Sequence, residues 1–353
     1  MRLPPLFRIF LYIILLALVL LQCGDNPLAS LPNGWETVDN LPPSVVRGVA
    51  QGPYGIYIIG MTPPGVETRD VIWKYDGYRL TEDFAVPNES GEGIFRDIAF
   101  FGNKGWAVGQ LSYTNGPIYH KPYMVYYDGT EWEEVNVGNE NVGGFGTVFP
   151  INGESCWLNS YNPNVPGYYR LVKYTKGDFD VLPGVRAVIA YAREENLLYS
   201  FSPDPTYDLL ISADGAVTWA GEKISCPNFG YRFKRRGHPC AVGPYLYIIV
   251  RSEQYGYGSG VVRRYGVPGE GEYEVQFYSN VGPNLYGLDY LAYDIYGRLL
   301  AVGPDTTVVY DGTNWYLEDL PPETTFVALA PARKGGFWAV GSLYYGISLL
   351  YHQ

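Results

Sequence analysis

Residues 125–135 read V-Y-Y-D-G-T-E-W-E-E-V, and residues 308–318 repeat them nearly letter for letter as V-V-Y-D-G-T-N-W-Y-L-E. A third copy, W-K-Y-D-G-Y-R-L, fills residues 73–80. In each, β-branched and aromatic residues run up to Asp-Gly and resume beyond it. That pattern predicts a hairpin, because glycine takes a positive φ without steric cost while the flanking strands alternate. A second element lies upstream of each copy: I-Y-I-I-G at 56–60, G-W-A-V-G at 105–109 and L-L-A-V-G at 299–303, with F-W-A-V-G again at 337–341. The order is constant: an apolar strand, a short turn, the A-V-G strand, a loop, the Y-D-G strand, then a strand after the turn.

Weaker copies fill the intervals. C-W-L-N-S at 156–160 leads to L-V-K-Y-T-K-G-D-F at 171–179, L-L-Y-S-F at 197–201 to L-I-S-A-D-G-A-V-T-W at 210–219, and L-Y-I-I-V at 246–250 to V-V-R-R-Y-G at 261–266. The unit is about 40–50 residues, the length of a four-stranded propeller blade. Second strands through Ile58, Ala107, Trp157, Leu198, Tyr247, Leu300 and Ala339 give seven units. The seventh stops at its third strand, I-S-L-L-Y-H-Q, at the chain's end. Its missing outer strand resembles N-G-W-E-T-V-D-N-L at 33–41, which matches T-N-W-Y-L-E-D-L at 313–320. The expected fold is therefore all-β: a seven-bladed β-propeller of four-stranded antiparallel blades, closed by the N-terminal strand. Closure also hides sheet edges.

Composition agrees. The chain has 34 Tyr and 43 Gly, and only 17 % of its residues are charged, which suits half-buried strands punctuated by turns. Net charge is −11, and the leader carries Arg2 and Arg8 with no acid, so the remainder is more acidic still. Such a surface repels phosphate backbones and excludes nucleic acid as the expected partner.

After Arg2 and Arg8, residues 9–21 form an apolar run of thirteen, signal-peptide length and well short of the roughly 20 residues of a spanning helix. Cys23 follows, then Gly24, Asp25, Asn26 and Pro27. This resembles a bacterial lipoprotein signal, which implies lipid attachment at Cys23 and export to the cell envelope. Leu20 fits that pattern; Leu21 and Gln22 depart from the small residues usual there. An uncleaved anchor or ordinary secretion are the alternatives. The expected organisation is a signal peptide at 1–22, a tether at 23–30 and one propeller domain at 31–353. Cys226 and Cys240 are close enough in sequence to bridge a loop in an oxidising compartment, whereas Cys156 reads as a small buried residue.

Ser212, Asp214, Thr218 and Trp219 resemble the Asp-box of sialidase-type propellers, with Ala216 where that family has glycine. There the box is a structural hairpin away from the catalytic centre, so the resemblance implies a propeller and no sialidase activity.

A search for chemistry finds little. His120, read as a loop residue, His238 and His352 lack partners at metal-ligand spacing and read as solvated or locally bonded. Nucleophile elbow, Walker loop and dinucleotide fingerprint are missing from the sequence, so neither metal nor cofactor is expected. Arg47, Arg96 and Arg186 fall near the starts of first strands, and Arg96–Asp97 reads as a possible local ion pair. If such arginines converged with an acid at the pore rim, the chain would read as a sialidase-like, glycan-active hydrolase.

The loops between second and third strands should all project from one face, and they are rich in Tyr, Asn, Pro and Gly. They bring Tyr113, Tyr119, Tyr123, Tyr161, Tyr168, Tyr169, Tyr207, Tyr255, Tyr257 and Tyr344 to that face, while the opposite turns read as short and polar. Tyr offers large amphipathic contact at low entropic cost, so this face reads as a binding surface for a protein or glycan partner in the envelope.

Overall fold

The computed structural model describes residues 34–41, 45–62, 69–87, 92–113, 119–138, 143–161, 169–182, 187–202, 208–224, 233–235, 239–252, 259–279, 288–303, 306–318, 324–343 and 346–353. They form seven antiparallel sheets and no helix. From the inner strand outward, blade 1 is β2 (Val45–Gly52), β3 (Gly55–Met61), β4 (Asp70–Tyr75) and β5 (Leu80–Ala85). Blade 2 is β6 (Glu92–Phe101), β7 (Lys104–Tyr113), β8 (Tyr119–Tyr127) and β9 (Trp132–Glu134). Blade 3 is β10 (Gly144–Pro150), β11 (Ser155–Tyr161), β12 (Tyr169–Thr175) and β13 (Asp178–Leu182). Blade 4 is β14 (Val188–Ala192), β15 (Leu197–Phe201), β16 (Leu209–Ser212) and β17 (Ala220–Glu222). In blade 5 the inner strand is split into β18 (Phe233–Arg235) and β19 (Cys240–Val242), both paired with β20 (Tyr245–Ser252), followed by β21 (Ser259–Tyr265) and β22 (Glu272–Ser279). Blade 6 is β23 (Tyr290–Tyr293), β24 (Leu299–Val302), β25 (Thr307–Tyr310) and β26 (Trp315–Glu318).

Blade 7 joins the two ends of the chain. Its first three strands are β27 (Thr325–Pro331), β28 (Phe337–Leu343) and β29 (Gly346–His352), and its outer strand is β1 (Trp35–Leu41). Trp35 pairs with His352 and Thr37 with Leu350, as the split repeat predicts. Trp35 is 1 % exposed, with its ring 4.9 Å from Phe326 and 4.8 Å from His352. His352 is not a solvated chain end: it is buried, and its Nε2 lies 2.5 Å from Glu318 Oε2 of blade 6.

The hydrophobic cores lie between blades. Tyr57 and Ile59 pack with Phe95 and Val125 across blades 1 and 2, and Trp106 and Met124 with Phe145 and Leu158 across blades 2 and 3. The series runs through every junction to Ile58 and Trp73 against Ala328 and Leu349, where blade 1 meets blade 7. Alternation in each strand buries both faces of a blade, so no blade is complete without two neighbours. Between blades 4 and 5, Arg264 donates to Glu222 at 2.6 and 3.1 Å, and Tyr273 and the Gly269 N–H complete that buried carboxylate's bonds.

The recurring A-V-G glycine has a structural cause. Gly60, Gly109 and Gly341 pair with Val46, Phe95 and Phe326, immediately before a β-bulge in each inner strand. The bulged backbone comes so close that a Cβ at Gly109 would stand 1.8 Å from the Ile94 carbonyl oxygen, and one at Gly60 2.3 Å from that of Val45. Glycine marks where the inner strand bends.

Strand alternation defines two faces. The turns after first and third strands share the lower face; the other connections share the upper face. The long second-to-third-strand loops lie outside the described residues.

Candidate functional site: the upper mouth of the channel

The bulges aim the blade-start arginines. Arg47 is the extra residue between Val46 and Gly48, and Arg96 the extra residue between Phe95 and Asp97; the equivalent positions hold Gly146 in blade 3 and Ile189 in blade 4. Arg47 forms an ion pair with Asp70 at the start of β4. Asp70 is 2 % exposed and also accepts the Phe95 N–H from the next blade at 3.2 Å. Burial pushes its carboxyl up to about 6, against the pull of Arg47, the Phe95 N–H and Arg96.

Arg96 differs from Arg47. It is exposed, its guanidinium lies 5.8 Å from the centre of the Tyr161 ring, and no ion pair joins it to a carboxylate among the described residues. Arg96 is therefore not paired with Asp97, as its neighbour in sequence suggested. The Asp97 carboxylate turns back instead, accepting Ile98 N–H and Val148 N–H at 2.9 Å each, and burial raises it to about 7. Asn159 repeats this seam one blade on, accepting Val188 N–H at 2.7 Å and donating to Val188 O.

Tyr161, at the end of β11, donates its hydroxyl to Gln110 Oε1; Gln110 Nε2 donates to Ser112 Oγ at 3.4 Å, and Ser112 Oγ lies 3.1 Å from His120 Nδ1. His120 is thus in β8 rather than a loop, bonded across the strand pair to Ser112. Gly144 lets Gln110 and Tyr161 meet: a Cβ there would stand 3.1 Å from each. The result is a polar rim on blades 1 to 3, with Arg47 neutralised, Arg96 exposed over an aromatic ring, and an amide–hydroxyl chain beside it. Such a rim suits a carboxylate with an extended backbone. Among the described residues, no cluster of His, Cys, Asp or Glu could hold a metal ion.

The sequence-derived tyrosines separate. Tyr161 and Tyr169 pair across β11 and β12, and Tyr113 and Tyr119 across β7 and β8, all at upper strand ends. Tyr123 is 4 % exposed, with its hydroxyl bonded to Glu134 at 2.7 Å, so it is a core residue lining the floor of a pocket of about 280 Å³ in blade 2. Tyr168, Tyr207, Tyr255, Tyr257, Tyr344, Arg186, His238, Cys23 and Cys226 lie outside the described residues. Cys240 carries a free thiol on β19, and Cys156 is buried. Sequence reasoning missed Asp70, Gln110 and Asn159. Asp70 is 23 residues from Arg47, and no local pattern joins them.

The lower face corrects a further expectation. It is not uniformly polar: Tyr54, Tyr78, Val217, Tyr245, Val267, Ile295 and Tyr296 are exposed there, Tyr78 at 89 %. On blade 4 the Asp214 carboxylate accepts Thr218 Oγ1 at 2.6 Å and Ser212 Oγ at 2.8 Å, and Ala216 holds φ 72° where the resembled box has glycine.

No family model matches the chain, and no curated protein does. Solved structures do. YCF48 bound to D1 peptide aligns over 92 % of this chain and 98 % of its own, with a TM-score of 0.58 at 14 % identity. The extracellular domain of the one-component system BT4673 from B. thetaiotaomicron aligns over 89 % of this chain and 39 % of its own, with a TM-score of 0.53 at 16 % identity. A prolyl endopeptidase aligns over 88 % and 47 %, with a TM-score of 0.52 at 10 % identity. At these identities the likeness is one of fold alone, and the chain's own architecture is a seven-bladed β-propeller.

Proposed function

We propose that this chain is a non-catalytic binding propeller of the cell envelope, tethered by a lipid at Cys23, that captures a protein segment at the upper channel mouth. The observation that carries this reading is Arg96: an exposed guanidinium set over Tyr161, beside an Arg47 already neutralised by Asp70. A bound carboxylate would accept from Arg96, while the Tyr161–Gln110 chain lies within reach of a peptide backbone. The similarity to YCF48, itself bound to a peptide, supports a protein over a glycan as the partner.

Immobilised chain and its Arg96→Ala variant, incubated with an envelope extract, test this. The variant should lose about 10- to 100-fold in affinity for the captured protein, the size of a lost charge-assisted contact, with an unchanged melting temperature. Equal capture by both proteins would defeat the reading. Capture that free oligosaccharide competes away would replace the protein partner with a glycan.

A further inference from the structure

The closing strand fixes where the leader meets the propeller. β1 starts at Trp35 opposite His352, the last residue of β29, and Gly34 O accepts the Gln353 N–H at 3.2 Å. Third strands end on the lower face, so the chain joins the ring there. From Cys23 to Gly34 there are eleven residues, which span at most roughly 36–40 Å when fully extended. Any membrane attachment through Cys23 or the apolar run at 9–21 therefore holds the lower face near the bilayer.

Most of the exposed apolar side chains of that face lie around the same place, Val217 on blade 4 being the exception. Tyr245 and Val267 on blade 5, Ile295 and Tyr296 on blade 6, and Tyr54 and Tyr78 on blade 1 flank blade 7, where the leader joins. The far side of the ring, on blades 2 and 3, presents turns with Asn103, Lys104, Asn152 and Lys176 instead. Tyrosine favours the headgroup layer, where its ring meets acyl chains and its hydroxyl stays hydrated. Lys334 is exposed among these rings, and Arg79 is exposed as well, paired with Asp76 at 3.9 Å. Asp76 also accepts Tyr78 and Arg79 N–H, Asp311 accepts Thr313 and Asn314 N–H, and Glu270 is exposed beside Val267.

We infer that the lower face lies against the lipid headgroup layer along blades 5, 6, 7 and 1, with the upper mouth turned away from the membrane. This rests on the tethered reading above. The occupant is the bilayer surface itself, and zwitterionic lipid suffices because the contact is made by tyrosine rings and apolar side chains rather than by net charge.

The test uses the full chain reconstituted into phosphatidylcholine–phosphatidylethanolamine vesicles, with Tyr78→Cys, Tyr296→Cys or, on the upper face, Tyr169→Cys. Labelling by a PEG-maleimide is read against the unsubstituted chain. Tyr78→Cys and Tyr296→Cys should label about tenfold more slowly in vesicles than in detergent, while Tyr169→Cys labels equally in both. Membrane-bound protein whose Tyr78→Cys and Tyr296→Cys label freely would overturn the docking and leave the tether standing. Full-length chain recovered in the soluble fraction would remove the tether and the docking with it.

Discussion

Gly109 carries no side chain because the Ile94 carbonyl occupies the space where one would go. Gly77, in the Y-D-G turn of blade 1, is glycine for another reason: nothing stands within 4 Å of its would-be Cβ, but φ is 104°. The two should respond differently to the same change. Gly109→Ala must displace backbone at the bulge and should cost more than about 3 kcal/mol, disturbing Arg96 as well. Gly77→Ala meets only conformational strain and should cost about 1 kcal/mol. Denaturant unfolding of both variants checks the ordering; equal losses would mean that the bulge does not press on Gly109.

Neighbouring blades are joined by side chains rather than by sheet bonds, and two of those joints are acids. Asp70 bonds Phe95 N–H, and Asp97 bonds Val148 N–H. Burial raises the two carboxyls to about 6 and about 7. A carboxyl raised on folding binds its proton more tightly in the folded chain. Its contribution to stability is complete below the unfolded value of about 4 and is lost as pH rises through 6 and 7. The turn acids Asp76, Asp128, Asp214 and Asp311 are lowered by the hydrogen bonds they accept, so theirs is lost only on acidification below pH 4. The chain should therefore be more stable at pH 5 than at pH 8, by on the order of 1 kcal/mol because Asp97 is partly exposed. Urea midpoints at the two pH values measure this, and Asp97→Asn should flatten the difference. A midpoint that climbs from pH 5 to pH 8 would contradict the assignment.

At this scale the sequence was informative where a signal is local. Asp-Gly hairpins, A-V-G strands and the blade order all depend on neighbouring residues, and all seven blades appear. In blades 1, 2 and 7 the bulge was signalled only by the glycine opposite it, which reads as part of a motif before it reads as a mark of close approach. In blades 3 and 4, where Ser160 and Ser200 stand there, it was not signalled at all. The site was half legible: the blade-start arginines and Tyr161 could be named one by one, but the pairing of Arg47 with Asp70 two strands away and the meeting of Arg96 with Tyr161 of the next blade could not. Tyrosine misled in both directions, because the same residue fills the core at Tyr57, Tyr123 and Tyr199 and stands in solvent at Tyr78 and Tyr296. Composition alone does not separate those roles.

For the whole molecule, closure sets everything else: the seventh core between blades 7 and 1, the lower-face position of Gly34 where the chain enters the ring, and the opposite orientation of the Arg96 rim. Each blade contributes half a core to each neighbour, so an open ring would expose Val46, Val49 and Ile56 on one side and Ala328, Val340 and Leu349 on the other. The direct measurement is a cross-link between the strands that close it. Glu36 is paired with Tyr351, and directly opposed residues of antiparallel strands stand about 4.5–5.5 Å apart at Cα, within disulfide range. Glu36→Cys with Tyr351→Cys should oxidise to a circular chain that runs faster on a non-reducing gel and melts at a higher temperature, while either single variant stays linear. A folded double variant whose two new thiols remain free would show that the N-terminal strand does not lie beside the C-terminal one.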